Sequence, residues 1–130
     1  MGAGTPGSLS ALTDVRCKRQ TFKASFKQVG LVTVIRYEGE FRVCYRPEVE
    51  IVSWGSLQGD ATYTLVPWEW RGNDPDYPYG TKTTTETIQF HYRGSAAVCL
   101  FSKGCGPTKH PWVRITFHAD NTLSKAWGVA

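Results

Sequence analysis

Four stretches of the chain alternate apolar and polar residues one by one. Phe22, Ala24 and Phe26 alternate with Lys23, Ser25 and Lys27, and Phe41, Val43 and Tyr45 with Arg42, Cys44 and Arg46. Further on, Ile88, Phe90 and Tyr92 alternate with Gln89, His91 and Arg93, and Val113, Ile115 and Phe117 with Arg114, Thr116 and His118. A period of two puts the apolar members of a run on one side of a strand, so each run predicts a strand with one buried and one wet face. Between them lie LVTVIRY (31–37), EVEIVSW (48–54), ATYTLVPWEW (61–70) and AAVCLF (96–101), whose β-branched and aromatic residues predict further strands. Nowhere do apolar residues recur at helical spacing over three turns.

Turn-forming residues separate these runs: Glu38-Gly39, Arg46-Pro47, Gly55-Ser56, Gln58-Gly59-Asp60, Arg93-Gly94-Ser95 and Asp120-Asn121. Strands this short and frequent predict an all-β fold, a single antiparallel β-sandwich or flattened barrel of about seven to nine strands over residues 15–130. Residues 1–14, rich in Gly, Ser, Thr and Pro, are expected to be a flexible leader. The segment WRGNDPDYPYGTK (70–82) breaks the alternation and predicts a long loop that either packs down or displays Tyr77 and Tyr79.

Composition narrows the class. With 130 residues the chain makes one domain, and 41% hydrophobic against 20% charged residues excludes a disordered polymer. A net charge of +4 permits an anionic partner. The basic residues are scattered, however: Arg16, Lys18, Arg19 and Lys23 come early, then Arg42, Arg46, Arg71, Arg93 and Arg114 singly. A nucleic-acid binder concentrates its charge on one stripe, so nucleic acid is not the expected partner. No apolar run reaches the length of a membrane span. The opening MGAGTPGSLSALTDV lacks the basic and apolar regions of a signal peptide, and its small residues suit the start of a mature secreted chain.

The four cysteines, Cys17, Cys44, Cys99 and Cys105, form an even set in a small chain, which points to two disulfides and an oxidising compartment. Three connectivities are open; the expected one is Cys17–Cys44, pinning the leading strand to the sheet, with Cys99–Cys105 shaping a turn.

Catalytic and metal chemistry find thinner support. Cys99, Cys105, His110 and His118 fall within twenty residues, but their spacing is wider than that of common zinc motifs, so no metal or cofactor is expected. No G-x-S-x-G elbow is present. The acid pairs Glu38/Glu40 and Glu48/Glu50 each share a strand face, as solvated edge charges do, and Glu69 stands alone. A small secreted ribonuclease would need His with Glu and Arg, and His91, His110, His118, Glu40 and Arg114 supply those types. Aromatic binding is the stronger theme. Trp68 and Trp70 share a strand face, with Trp54, Tyr77 and Tyr79 in or near adjoining turns, an arrangement suited either to stacking on sugar rings or to filling the space between two sheets.

From Cys44 onward the order of features resembles a group of small secreted proteins of actinobacteria. The resemblance is carried by VCYRPEVEIVSW, by the Trp- and Gly-rich VPWEWRGNDPDYPYG and above all by CLFSKGCGPTKHPWVRITFHADNT, a C-x5-C turn leading through Pro-Trp into an alternating strand. It implies a secreted, disulfide-bonded β domain and carries no activity with it. The function expected from the sequence is a non-catalytic extracellular binding domain, with a polysaccharide or protein partner held by Trp54, Trp68, Trp70, Tyr77 and Tyr79. The alternatives are a self-associating subunit of an extracellular or phage assembly, and a small secreted hydrolase such as a ribonuclease.

Overall fold

The computed structural model describes residues 14–28 and 32–130. All but one residue of the expected leader lies outside them. Among the described residues there is no helix, so none is long and apolar enough to cross a membrane. Nine strands of the described residues form two antiparallel sheets packed face to face. The first is a meander of β1 (Arg16–Gln28), β2 (Val32–Arg46) and β3 (Glu50–Thr64), with β2 in the middle.

The second sheet is organised around the long strand β6 (Thr87–Leu100). Along one side of it run β4 (Trp68–Asn73), paired with its second half, and β5 (Tyr79–Thr84), paired with its first. On the other side are β7 (Gly104–Cys105) and β8 (Pro111–His118), and β9 (Leu123–Val129) forms the edge beyond β8.

All four alternating runs place their apolar members between the sheets. Phe22, Ala24 and Phe26, Phe41, Val43 and Tyr45, Ile88, Phe90 and Tyr92, and Val113, Ile115 and Phe117 are buried, and no charged or polar residue among the described ones joins them. Phe41 stacks on Phe90 across the interface, with centroids 4.4 Å apart. Burial of these side chains is the main stabilising term, at about 1.5–3 kcal/mol for each fully buried one.

The strands are longer than the turn signals predict. Gly39, Gly55 and Gly59, expected in turns, lie inside β2 and β3, and Gly94 lies inside β6. The reason is packing. A β-carbon at Gly39 would overlap the ring of Phe22, its direct partner on β1, and one at Gly94 would overlap the indole of Trp70. Gly39, Gly59 and Gly94 make room for a neighbour's ring, and none of the four reverses the chain. Conversely, ATYTLVPWEW is not one strand: β3 ends at Thr64, and a turn containing the cis Val66-Pro67 bond carries the chain to the second sheet. The expected long loop shrinks to residues 74–78, because β4 and β5 take up its two ends.

Both disulfides form as expected, Cys17–Cys44 and Cys99–Cys105. Each joins residues directly opposite in adjacent antiparallel strands, with Cα atoms 4.0 and 3.9 Å apart. The second clamps the tip of the hairpin by which β6 turns back toward β8.

Candidate functional site

Strand parity decides which aromatic residues are available to a ligand. On β6 the even-numbered residues from Ile88 to Ala96 are buried, so they face the first sheet, and the odd-numbered His91, Arg93 and Ser95 face outward. Trp70 sits opposite Ala96 and Trp68 opposite Val98, which turns both indoles inward. They are half-buried against the core, and their N–H groups are engaged: Trp70 Nε1 donates to Asp60 Oδ1 at 2.9 Å and Trp68 Nε1 to Gln28 Oε1 at 3.3 Å. Trp54, on the first sheet, lies over Gly80 at the rim of the sandwich and is 36% exposed.

Tyr77 and Tyr79 take the other side. Tyr79 is opposite His91 in register, and its ring stacks on the imidazole with centroids 4.7 Å apart and planes within 17°. Tyr77 leans on Tyr79 at 5.2 Å. The five aromatic residues singled out in the sequence are thus divided, three directed into or along the sandwich and two onto the outer face of the second sheet.

That outer face also gathers residues with no common motif in the sequence. Pairing of β6 with β8 sets His91 opposite Arg114 and Arg93 opposite Trp112. Trp112 lies across Gly128 of β9, and the Arg114 guanidinium sits 5.4 Å from the Trp112 ring centre. Tyr77, His91, Arg93, Trp112 and Arg114 line a shallow cavity of about 180 Å³. Burial first, then the nearby Arg114 charge, holds the His91 imidazole below its ordinary pKa. The Tyr79 phenol is raised, by burial first and then by Tyr77, against an opposing pull from Arg114.

One wall of this region is braced by a polar cluster. Asp74 Oδ2 lies 3.0 Å from both Arg93 Nε and His110 Nδ1, and Ser95 Oγ bonds Asp74 Oδ1 and approaches the same His110 nitrogen at 3.3 Å. A Ser, a His and an Asp are therefore in contact, but in the wrong order for nucleophilic catalysis. Serine and aspartate compete for one imidazole nitrogen, and the serine proton is given to the carboxylate instead of the second nitrogen of the ring. The cluster ties the 74–78 turn to β6 and to the segment before β8.

The other candidate chemistries are dispersed. His118 Nδ1 meets Thr87 Oγ1 at 3.1 Å, and Glu40 lies on the outer face of the first sheet beside Arg19, across the sandwich from His91. Glu38 accepts from Thr62 at 2.7 Å. The ribonuclease-like set is not brought together. Glu69 lies near Cys99 and Cys105, but those sulfurs are bonded to each other, carry no thiolate charge, and receive the Arg71 guanidinium at 3.4 and 2.9 Å. Comparison with protein-family models, curated proteins and solved structures returned no match.

Proposed function

We propose that this chain is a non-catalytic extracellular binding domain that holds a unit of a polysaccharide on the outer face of its second sheet. The observation that carries the reading is the convergence of Tyr77, Tyr79 and Trp112 with His91 and Arg114 on a face the core does not use. Rings on this face are half-buried or exposed, so they are held rigid on one side and open on the other, as stacking on a sugar requires. The cavity is smaller than the roughly 300–1,000 Å³ that encloses a whole small-molecule ligand, which suits one unit of a longer chain. Two disulfides support a secreted location.

Retention on immobilised polysaccharides tests this. Tyr79→Ala is expected to lower retention at least about fivefold, by loss of a stacking contact of about 0.5–1.5 kcal/mol together with its buried area, with thermal stability unchanged. If no polysaccharide is retained, or if Trp68→Ala abolishes retention while Tyr79→Ala leaves it intact, the reading fails.

A second reading, a self-associating assembly subunit, is favoured by one feature. At the clamped hairpin tip Phe101 is fully exposed beside Leu100, and Val66 in the β3–β4 turn stands out next to them. Sedimentation at rising concentration separates the two. Association abolished by Phe101→Ser supports assembly, and a concentration-independent monomer removes it.

A further inference from the structure

The geometry points to an acidic group, a carboxylate or sulfate ester carried on a sugar unit, as the feature held at Arg114 between Trp112 and His91. This inference rests on the binding reading above and names the ligand class.

Arg114 differs from Arg93 beside it and from arginines held elsewhere in the fold. Arg93 is compensated by Asp74, Arg19 approaches Glu40, and Arg71 is spent on the Cys99–Cys105 sulfurs. Arg114 is exposed, pairs with no carboxylate and donates no hydrogen bond among the described residues. It is nevertheless placed: the Trp112 ring supports its guanidinium on one side, and β-sheet register fixes it across from His91. A planar fork held by an aromatic face keeps its N–H groups available for two parallel hydrogen bonds to a carboxylate or sulfate.

The surroundings are electropositive. His91 is faced by Tyr79 from β5, by Arg114 from β8, by Tyr77 from the turn before β5, and by Arg93 two residues along its own strand. No acidic side chain lies among these groups, and Asp74, which braces the region, is taken up by Arg93, His110 and Ser95; the main chain of Ala130 also lines the cavity. An anion at Arg114 would supply the missing negative charge.

An acidic sugar fits better than nucleic acid because only one unpaired arginine faces a cavity of about 180 Å³. Nucleic-acid affinity needs a track of cations spaced along successive phosphates, and this face has none.

The test is a titration of the full chain, followed by the NMR signals of the His91 imidazole and the Arg114 guanidinium. The probes are a carboxylated oligogalacturonide, a sulfated chondroitin oligosaccharide, a neutral cello-oligosaccharide and a single-stranded RNA. Binding of an acidic saccharide is expected to raise the His91 pKa, because the new charge opposes that of Arg114, and by linkage to tighten as pH falls through the His91 range. Arg114→Gln should weaken that binding about tenfold or more, as expected for a lost charge-assisted pair, with the melting temperature unchanged. Preference for the galacturonide or the chondroitin probe decides between carboxylate and sulfate. Neutral saccharide bound as tightly as acidic, an unmoved His91 pKa, or tighter binding of RNA overturns the acidic-sugar inference and leaves the site itself in place. Failure of every saccharide to bind overturns the binding reading beneath it.

Discussion

On the inner face of the second sheet Trp70 lies over Gly94 and gives its N–H to Asp60, and Tyr92, fully buried, donates its hydroxyl to the Glu40 carbonyl at 2.7 Å. On the outer face of the same sheet Trp112 also lies over a glycine, Gly128, and Tyr79 stacks on His91, yet Tyr79 remains 40% exposed. The same local device, a large ring laid over a glycine in the neighbouring strand, is used on both faces. Inside, the ring is closed over by a second layer: Trp70 meets Tyr37 at 5.5 Å, and Tyr37 in turn bonds Asn73, whose amide returns to the Gly59 carbonyl. Outside, no second layer follows among the described residues. Aromatic content alone says nothing about function; what matters is whether every edge and polar tip of a ring already has a partner.

Adding one methyl group to each glycine gives the largest expected difference between the faces. In Gly94→Ala the new carbon falls within the Trp70 ring, which cannot retreat because Tyr37 stands behind it. Overpacking of this kind costs about 2 kcal/mol or more, read as a lower urea midpoint with an unchanged slope. In Gly128→Ala the new carbon stands 2.9 Å from Trp112, whose ring can tilt toward solvent. The loss there should stay below about 1 kcal/mol. Equal losses at the two sites would erase the distinction between a closed and an open aromatic layer.

The inner face was legible in the sequence and the outer one only in part, for a physical reason. A period of two reports burial directly, so Phe22 through Phe26 and Val113 through Phe117 announced their side of the sheet. Gly39, Gly59 and Gly94 misled because a turn and a seat for a ring both select for a missing side chain, and the ring belongs to another strand. Tyr77 and Tyr79 drew notice by standing in a segment without alternation. Arg114, His91 and Trp112 could not be grouped in advance, since their meeting depends on the register between β6 and β8. The opposed pairs, His91 with Arg114 and Arg93 with Trp112, stand 23 and 19 residues apart in the chain, and no local pattern links them. Trp68 and Trp70 share a strand face as expected, but which face depended on their pairing with Val98 and Ala96.

The smallest effect separates the outer face from the rest of the molecule by pH. Two described groups, His91 and Asp120, are held below their ordinary pKa values. For His91 the cause is burial, then Arg114; for Asp120 it is the hydrogen bonds from the Thr122 hydroxyl and amide. In both cases the unfolded chain takes up the proton first, so stability is lost as pH falls, but in different windows. The His91 share is fully present above its unfolded value of 6.5 and declines as pH falls from there toward the folded value. The Asp120 share persists to the carboxylate range and is lost only below about pH 4. His91→Gln should therefore flatten the fall in melting temperature between pH 7.5 and 5.5 and leave the steeper fall below pH 4 untouched. An unchanged profile in the upper window would mean that neither burial nor the Arg114 charge lowers the imidazole pKa, and that the outer face does not act on His91 as its geometry requires.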